Sequence, residues 1–142
     1  MRFMSEAIAP PMRGYVIYDP VDPFENRAGP FFWARLPDGT HSFAITAAER
    51  HCNSQGLVHG GLLMTMIDLA LVITAKSAPD EQLVTVSLNS EFMSSAREGD
   101  LIEARGELLR RTRSLAFVRG RISCGDRILV AASAVLKPMN AH

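Results

Sequence analysis

The chain has 142 residues, 47% of them hydrophobic, and its 15 basic and 15 acidic side chains leave a formal charge of zero. That length suits one domain burying about two-thirds of its unfolded surface, and a neutral chain offers no general attraction to nucleic acid or to an anionic membrane. Small molecules and further copies of the chain are the expected partners. No apolar run approaches the roughly 18 residues of a membrane span, and the N-terminus lacks a signal-peptide core. Two cysteines, Cys52 and Cys124, form no disulfide framework, so the expectation is a cytoplasmic protein with two buried thiols.

In chain order, five prolines (Pro10, Pro11, Pro20, Pro23 and Pro30) crowd the first thirty residues and oppose regular helix or central strand over most of that length. Residues 1–30 are read as a leader segment and 31–138 as one folded domain. Phe31 to Leu36 and Ser42 to Thr46 are β-prone runs separated by Pro37-Asp38-Gly39, in which proline presets one dihedral and glycine permits positive φ, so a hairpin is predicted. Gly60 to Lys76 is apolar nearly all round, interrupted by Thr65, Asp68 and Thr74. As a helix it would be about 25 Å long and would need wrapping on every side.

Four further strands are predicted at Leu83 to Met93, Leu101 to Thr112, Leu115 to Cys124 and Arg127 to Leu136. Alternation is clearest where Ala116, Val118, Gly120, Ile122 and Cys124 oppose Leu115, Phe117, Arg119, Arg121 and Ser123. Gly125-Asp126 supplies a two-residue hairpin turn, and Thr112-Arg113-Ser114 a short connection, so the last three strands should run as an antiparallel meander. The expected fold class is α+β, a curved antiparallel sheet wrapped around one long central helix.

Chemistry concentrates at the start of that helix. Asn53-Ser54-Gln55-Gly56-Leu57-Val58-His59-Gly60-Gly61 runs directly into the apolar stretch. Paired glycines let a ligand approach the backbone, and the unpartnered first-turn N–H groups favour an atom that develops negative charge. Asp68 sits among Met64, Ile67, Leu69, Leu71 and Val72, where ionisation is costly without partners or water. There is no Gly-x-Ser-x-Gly elbow, and Gly56 to Gly61 has neither the Lys nor the βαβ setting of a phosphate or dinucleotide loop. His51, Cys52 and His59 do not make a zinc spacing.

Asn53, Gly56, His59-Gly60-Gly61 and Asp68, nine positions beyond the His, resemble the hotdog-fold thioesterases of the phenylacetic-acid-pathway type. The resemblance continues through Val84-Thr85-Val86-Ser87-Leu88-Asn89, Phe92 to Ala96 and Gly99-Asp100, and covers roughly Phe32 to Leu136. Members often have proline where this chain has Ser95. The resemblance implies a hotdog fold, hydrolysis of acyl-CoA thioesters, and sites shared between the subunits of a dimer, often paired as a dimer of dimers. No cofactor is implied, the coenzyme A moiety belonging to the substrate.

It also implies roles. Gly60 N–H and the Asn53 side chain would hold the developing oxyanion. Asp68 would be general base on water, or nucleophile, and Thr85 would orient the water. His59 and Gly61 would shape the substrate-binding turn, while Arg110, Arg111 and Arg113 are candidates for the coenzyme A phosphates, since guanidinium forks suit phosphate oxygens. Helix geometry constrains assembly: Gly60 and Asp68 differ by about 12 Å in height on one helix, so they serve one carbonyl only if two helices meet antiparallel across a two-fold axis. Two alternatives share the fold: a non-catalytic acyl-CoA-binding or sensing protein, and a hydratase pairing His59 with Asp68, which one helix places on opposite sides. The acyl pocket is expected to depend on Met64, Met66, Phe92, Phe117 and the leader.

Overall fold

The long apolar segment forms one helix of 16 residues, α2 (Gly60–Ala75), and every strand among the described residues joins a single sheet beside it. The computed structural model describes residues 9–19 and 22–139. Before α2 come β1 (Val16–Tyr18), the short helix α1 (Pro23–Ala28), β2 (Phe31–Arg35), β3 (His41–Thr46) and a 3-10 turn, Glu49–His51; after it come β4 (Leu83–Phe92), β5 (Leu101–Arg111), β6 (Ala116–Cys124) and β7 (Arg127–Pro138). The strand order is β1-β2-β3-β5-β6-β7-β4, with antiparallel pairing throughout. This is the hotdog arrangement of one long helix against a curved antiparallel sheet.

The hairpin β2–β3 and the meander β5–β6–β7 follow from the turn chemistry, with Gly39 and Gly125 at φ of 88° and 59°. Curvature has local causes. Register shifts between Thr85 and Ser87, between Leu108 and Arg110, and between Ile122 and Ser123 bend three of the ladders. Gly106 and Gly120 stand opposite one another beneath α2. A Cβ on the first would come within 2.5 Å of Thr74 Oγ1, and one on the second within 2.8 Å of Leu71 Cδ2, so only glycine lets helix and sheet approach this closely.

Met66, Ile67 and Leu71 of α2 are buried against Phe43, Ile102 and Ile122 of the sheet. The wrapping is one-sided, however. Gly61, Met64, Thr65, Asp68 and Val72 form a stripe along α2 that stays partly or fully exposed, because the sheet of one chain reaches only the opposite face. Beside that stripe runs β4, bonded to β7 along one edge only, with Val84, Val86 and Phe92 exposed on it.

The proline-rich N-terminal segment contributes two of the described elements. β1 is the outer strand beyond β2, a place that tolerates nearby prolines. α1 begins with Pro23 in its first turn, and its N-cap Asp22 accepts the Glu25 N–H through Oδ1 at 3.0 Å. Residues 1–8, 20 and 21 of the expected leader lie outside the described residues. Cys52 and Cys124 are free, and both are half-buried rather than buried. Among the described residues no helix is long and apolar enough to cross a membrane.

Candidate active site

The loop before α2 is organised by Asn53. Its Oδ1 accepts the N–H groups of Gln55 at 2.9 Å and Leu57 at 3.1 Å, while its own N–H donates to Leu57 O at 2.7 Å and Gly56 turns the chain at φ 75°. Backbone N–H groups only donate, so the carboxamide oxygen is fixed toward the loop. The Nδ2 group is then the end of Asn53 left to meet other partners.

His59 is the N-cap of α2. Its Nδ1 accepts the Gly61 N–H at 2.8 Å, and its carbonyl accepts from Leu62 at 3.0 Å and Leu63 at 3.2 Å. A neutral ring bonded this way carries its proton on Nε2. Of the first-turn amides, Gly60 N–H alone has no acceptor among the described residues. The sequence expectation of a whole ring of free donors is thereby narrowed to one. A Cβ on Gly61 would lie 2.9 Å from His59 Nδ1, so Gly61 makes room for the capping imidazole; helix-on-sheet packing belongs instead to Gly106 and Gly120. Gly60 lies against Phe92 of β4, whose ring would stand 3.4 Å from a Cβ there.

Two turns further along, Asp68 Oδ1 accepts a hydrogen bond from Thr85 Oγ1 at 2.7 Å. The helix and β4 run side by side, Gly60 beside Phe92 and Asp68 beside Thr85. The hollow over Asp68, about 450 Å³, is lined by Met64, Thr85 and Leu88, with Phe24 and Glu25 of α1 on its other wall. A neighbouring hollow of about 590 Å³ continues it past Tyr18 and Lys76. Met64 therefore lines the site as expected, whereas Met66 is fully buried in the core. Phe117 alternates with the inward Ala116 and Val118 and so faces away from α2.

Sequence reasoning missed α1. Glu25 shares both hollows with Asp68 and Asp22. Burial, then the Asp22 carboxylate and then the Asp68 charge, hold the Glu25 carboxyl up at about 7, with Lys76 opposing. Burial together with Glu25 and Asp22 pushes the Tyr18 phenol up to about 12. The signal was present as Asp22-Pro23 followed by Glu25, an N-cap, a first-turn proline and a first-turn acid, obscured by the density of prolines around it.

The arginine group divides. Arg110 and Arg113 are exposed, but Arg111 is engaged in holding the fold. Its Nη1 donates to Ala75 O at 2.8 Å and to Glu81 Oε1 at 2.9 Å, and Nη2 pairs with Glu81 Oε2. It closes the C-terminal end of α2, where cations are favoured, and its fork draws the Glu81 carboxyl down to about 2. The expectation of Arg111 as a phosphate ligand gives way to this role. The ring nitrogens of His51 are likewise engaged, Nδ1 accepting the Ala48 N–H at 2.9 Å and Nε2 lying 3.0 Å from Gly29 O. Burial lowers its pKa.

Comparison with known proteins places the fold in a family. The pattern of the thioesterase superfamily matches residues 55–131, from the loop of Asn53 to the middle of β7. Human acyl-coenzyme A thioesterase 13 is 37% identical over 98 residues, 66% of this chain and 68% of that protein. A phenylacetic acid degradation-related protein of Ralstonia eutropha JMP134 superposes with a TM-score of 0.71 at 25% identity, over 84% of this chain and 92% of that one. A Streptococcus pneumoniae TIGR4 protein solved with coenzyme A has the same fold, with a TM-score of 0.70 at 18% identity over 79% and 90% of the two chains. The chain belongs to the thioesterase superfamily.

Proposed function

We propose that this thioester hydrolase acts on acyl-coenzyme A, with Asp68 as the group that brings water to the thioester carbon and Gly60 N–H as a donor to the carbonyl oxygen. The observation that carries this reading is the division of labour at the head of α2. The His59 cap takes up every other first-turn amide, so the helix dipole and one free N–H are presented together, and such a donor is worth about 3–4 kcal/mol to a developing oxyanion. The outward Nδ2 of Asn53 suits it as a second donor. The Thr85 hydroxyl occupies one oxygen of Asp68, which leaves the other to take a proton from water, or to attack the carbonyl itself. Neither route requires a metal or a cofactor.

Because about 12 Å of helix separates Gly60 from Asp68, the site is completed by a second copy. The exposed stripe of α2 and the unpaired edge of β4, with Val84, Val86 and Phe92 on it, are the surfaces suited to a two-fold partner. A cytoplasmic location fits the two free thiols. The human relative's name supports the carrier, and a protein of the same fold holds coenzyme A. Free-thiol release from a panel of aryl- and alkyl-acyl coenzyme A esters tests the reading. Wild type should hydrolyse a subset, and Asp68→Asn should lose about a hundredfold or more of that turnover while remaining folded. Near-wild-type rates in Asp68→Asn would remove the assigned mechanism.

A further inference from the structure

Resting on the assignment of Asp68 above, we infer that Glu25 of α1 selects the substrate by charge, so that acyl groups without a negative charge are accepted and those ending in a carboxylate are turned away. The geometry is that of a wall facing the reacting group. The hollow of about 450 Å³ over Asp68 has Asp22, Phe24 and Glu25 on the α1 side and Met64, Thr85 and Leu88 on the other. The hollow of about 590 Å³ that continues it holds Asp22, Glu25 and Asp68 again, now with Tyr18 and Lys76. An acyl group seated in either one lies between Asp68 and α1. The phosphate-bearing carrier is repelled by these same carboxylates, which leaves the acyl half as the part that enters.

Glu25 is held in place by the fold. Asp22 caps α1 by accepting the Glu25 N–H at 3.0 Å, and the Glu25 carbonyl accepts the Gly29 N–H at 2.9 Å. Gly29 O in turn accepts from Arg50 Nη2 at 2.9 Å and lies 3.0 Å from His51 Nε2, a double grip that ties the end of α1 to the turn before α2. The Glu25 side chain is half-buried. The charged or titratable groups that face it are Asp22 from the cap, Tyr18 from β1, and Asp68 and Lys76 from α2. Lys76 is the one cation lining either hollow, and its Nζ lies 3.5 Å from Pro79 O. A carboxylate arriving on the acyl group therefore meets up to three others in a half-buried space. An amide, a hydroxyl or a hydrocarbon of the same length meets none of that repulsion. The filter tightens with pH. Burial, then Asp22 and Asp68, hold the Glu25 carboxyl up at about 7, so it loses its proton, and adds its charge to the hollow, as pH rises through neutrality.

Two coenzyme A thioesters of one acyl length, ending in a carboxylate (glutaryl) or in the isosteric carboxamide, test this through the ratio of their kcat/KM. Asp68 serves both, so its own ionisation cancels in the ratio, and a terminal carboxylate, with an ordinary value of about 4.3, stays ionised throughout. Wild type should favour the carboxamide by about tenfold or more at about pH 8.5 and by less at about pH 6, and high salt should narrow the gap. Glu25→Gln should reduce the preference about threefold or more and remove its dependence on pH between those values, leaving the part due to Asp22 and Asp68. Glu25→Lys should reduce it further. A ratio unchanged in these variants, which is what a purely structural Glu25 gives, overturns the filter, as does a wild-type ratio that is flat with pH. Calorimetry with the two non-hydrolysable thioether analogues reads the same preference without turnover. Failure of the underlying reading looks different: Asp68→Asn would hydrolyse the carboxamide ester at the wild-type rate, or neither ester would be hydrolysed, while the analogues still bound with the preference described.

Discussion

The side chain of His59 decides which amide at the head of α2 is left without an acceptor among the described residues. By accepting the Gly61 N–H at 2.8 Å it caps the helix, and Gly61 is glycine because a Cβ would sit 2.9 Å from the same ring nitrogen. Gly61→Ala should therefore displace the imidazole and cost about 1 kcal/mol, the usual worth of an N-cap, seen as a lowered midpoint in chemical denaturation. It should also free a second amide and disturb turnover; an unchanged midpoint would mean the cap contributes nothing. At this scale much was legible. The Asn53 side chain organises the loop before α2, and Thr85 meets Asp68, two residues that the sequence motif had singled out together. Arg111 was not legible, because a guanidinium on a strand end looks the same in sequence whether it faces solvent or, as here, the Ala75 carbonyl and Glu81. That choice is made by residues about thirty positions away.

At the scale of elements, α2 and the strands β2 to β7 were legible because period-two alternation, Gly-Asp and Pro-Asp-Gly turns and one long apolar run are local signals, whereas β1, three residues within the proline-rich stretch, was not. α1 was not, since it occupies six residues in a proline-rich stretch and gains its place from contacts with α2 and from the grip on Gly29. It brings a titrating group into the molecule. Folded, Glu25 holds its proton up to about 7, against an ordinary value of 4.5. Between those values the native state binds more protons than the unfolded chain, so this group's stabilisation is full below about 4.5 and is lost as pH rises through about 7. Glu81 works oppositely. Its folded value of about 2 against 4.5 gives stability that is present above about 4.5 and is lost as pH falls toward about 2. Denaturation midpoints across pH should show Glu25→Gln flattening the neutral limb and Glu81→Gln the acid limb. A neutral limb unchanged in Glu25→Gln would mean that α1 does not bury this carboxyl beside Asp68.

At the scale of the whole molecule, the proposed mechanism has one chain present half of two sites. Gly60, the proposed oxyanion donor, lies beside Phe92 at one end of α2, and Asp68 beside Thr85 two turns along, a separation of about 12 Å that no side-chain rotation closes. A two-fold partner with its helix antiparallel would bring Gly60 and Asn53 of one copy to Asp68 of the other, and the uncovered stripe on α2 and the open edge of β4 give such a partner somewhere to sit. This arrangement makes a quantitative prediction. Asn53→Ala and Asp68→Asn should each be nearly inactive as homodimers. A mixed dimer contains one site with both defects and one with neither. Random association of equal amounts makes half the dimers mixed, and each has one sound site in two, so co-refolding should restore about one quarter of wild-type thioester hydrolysis. The unmixed variants, refolded alone, serve as controls. If each chain carried a complete site, mixing would restore nothing above their average, and the placement of Gly60 and Asp68 in one reaction would have to be abandoned.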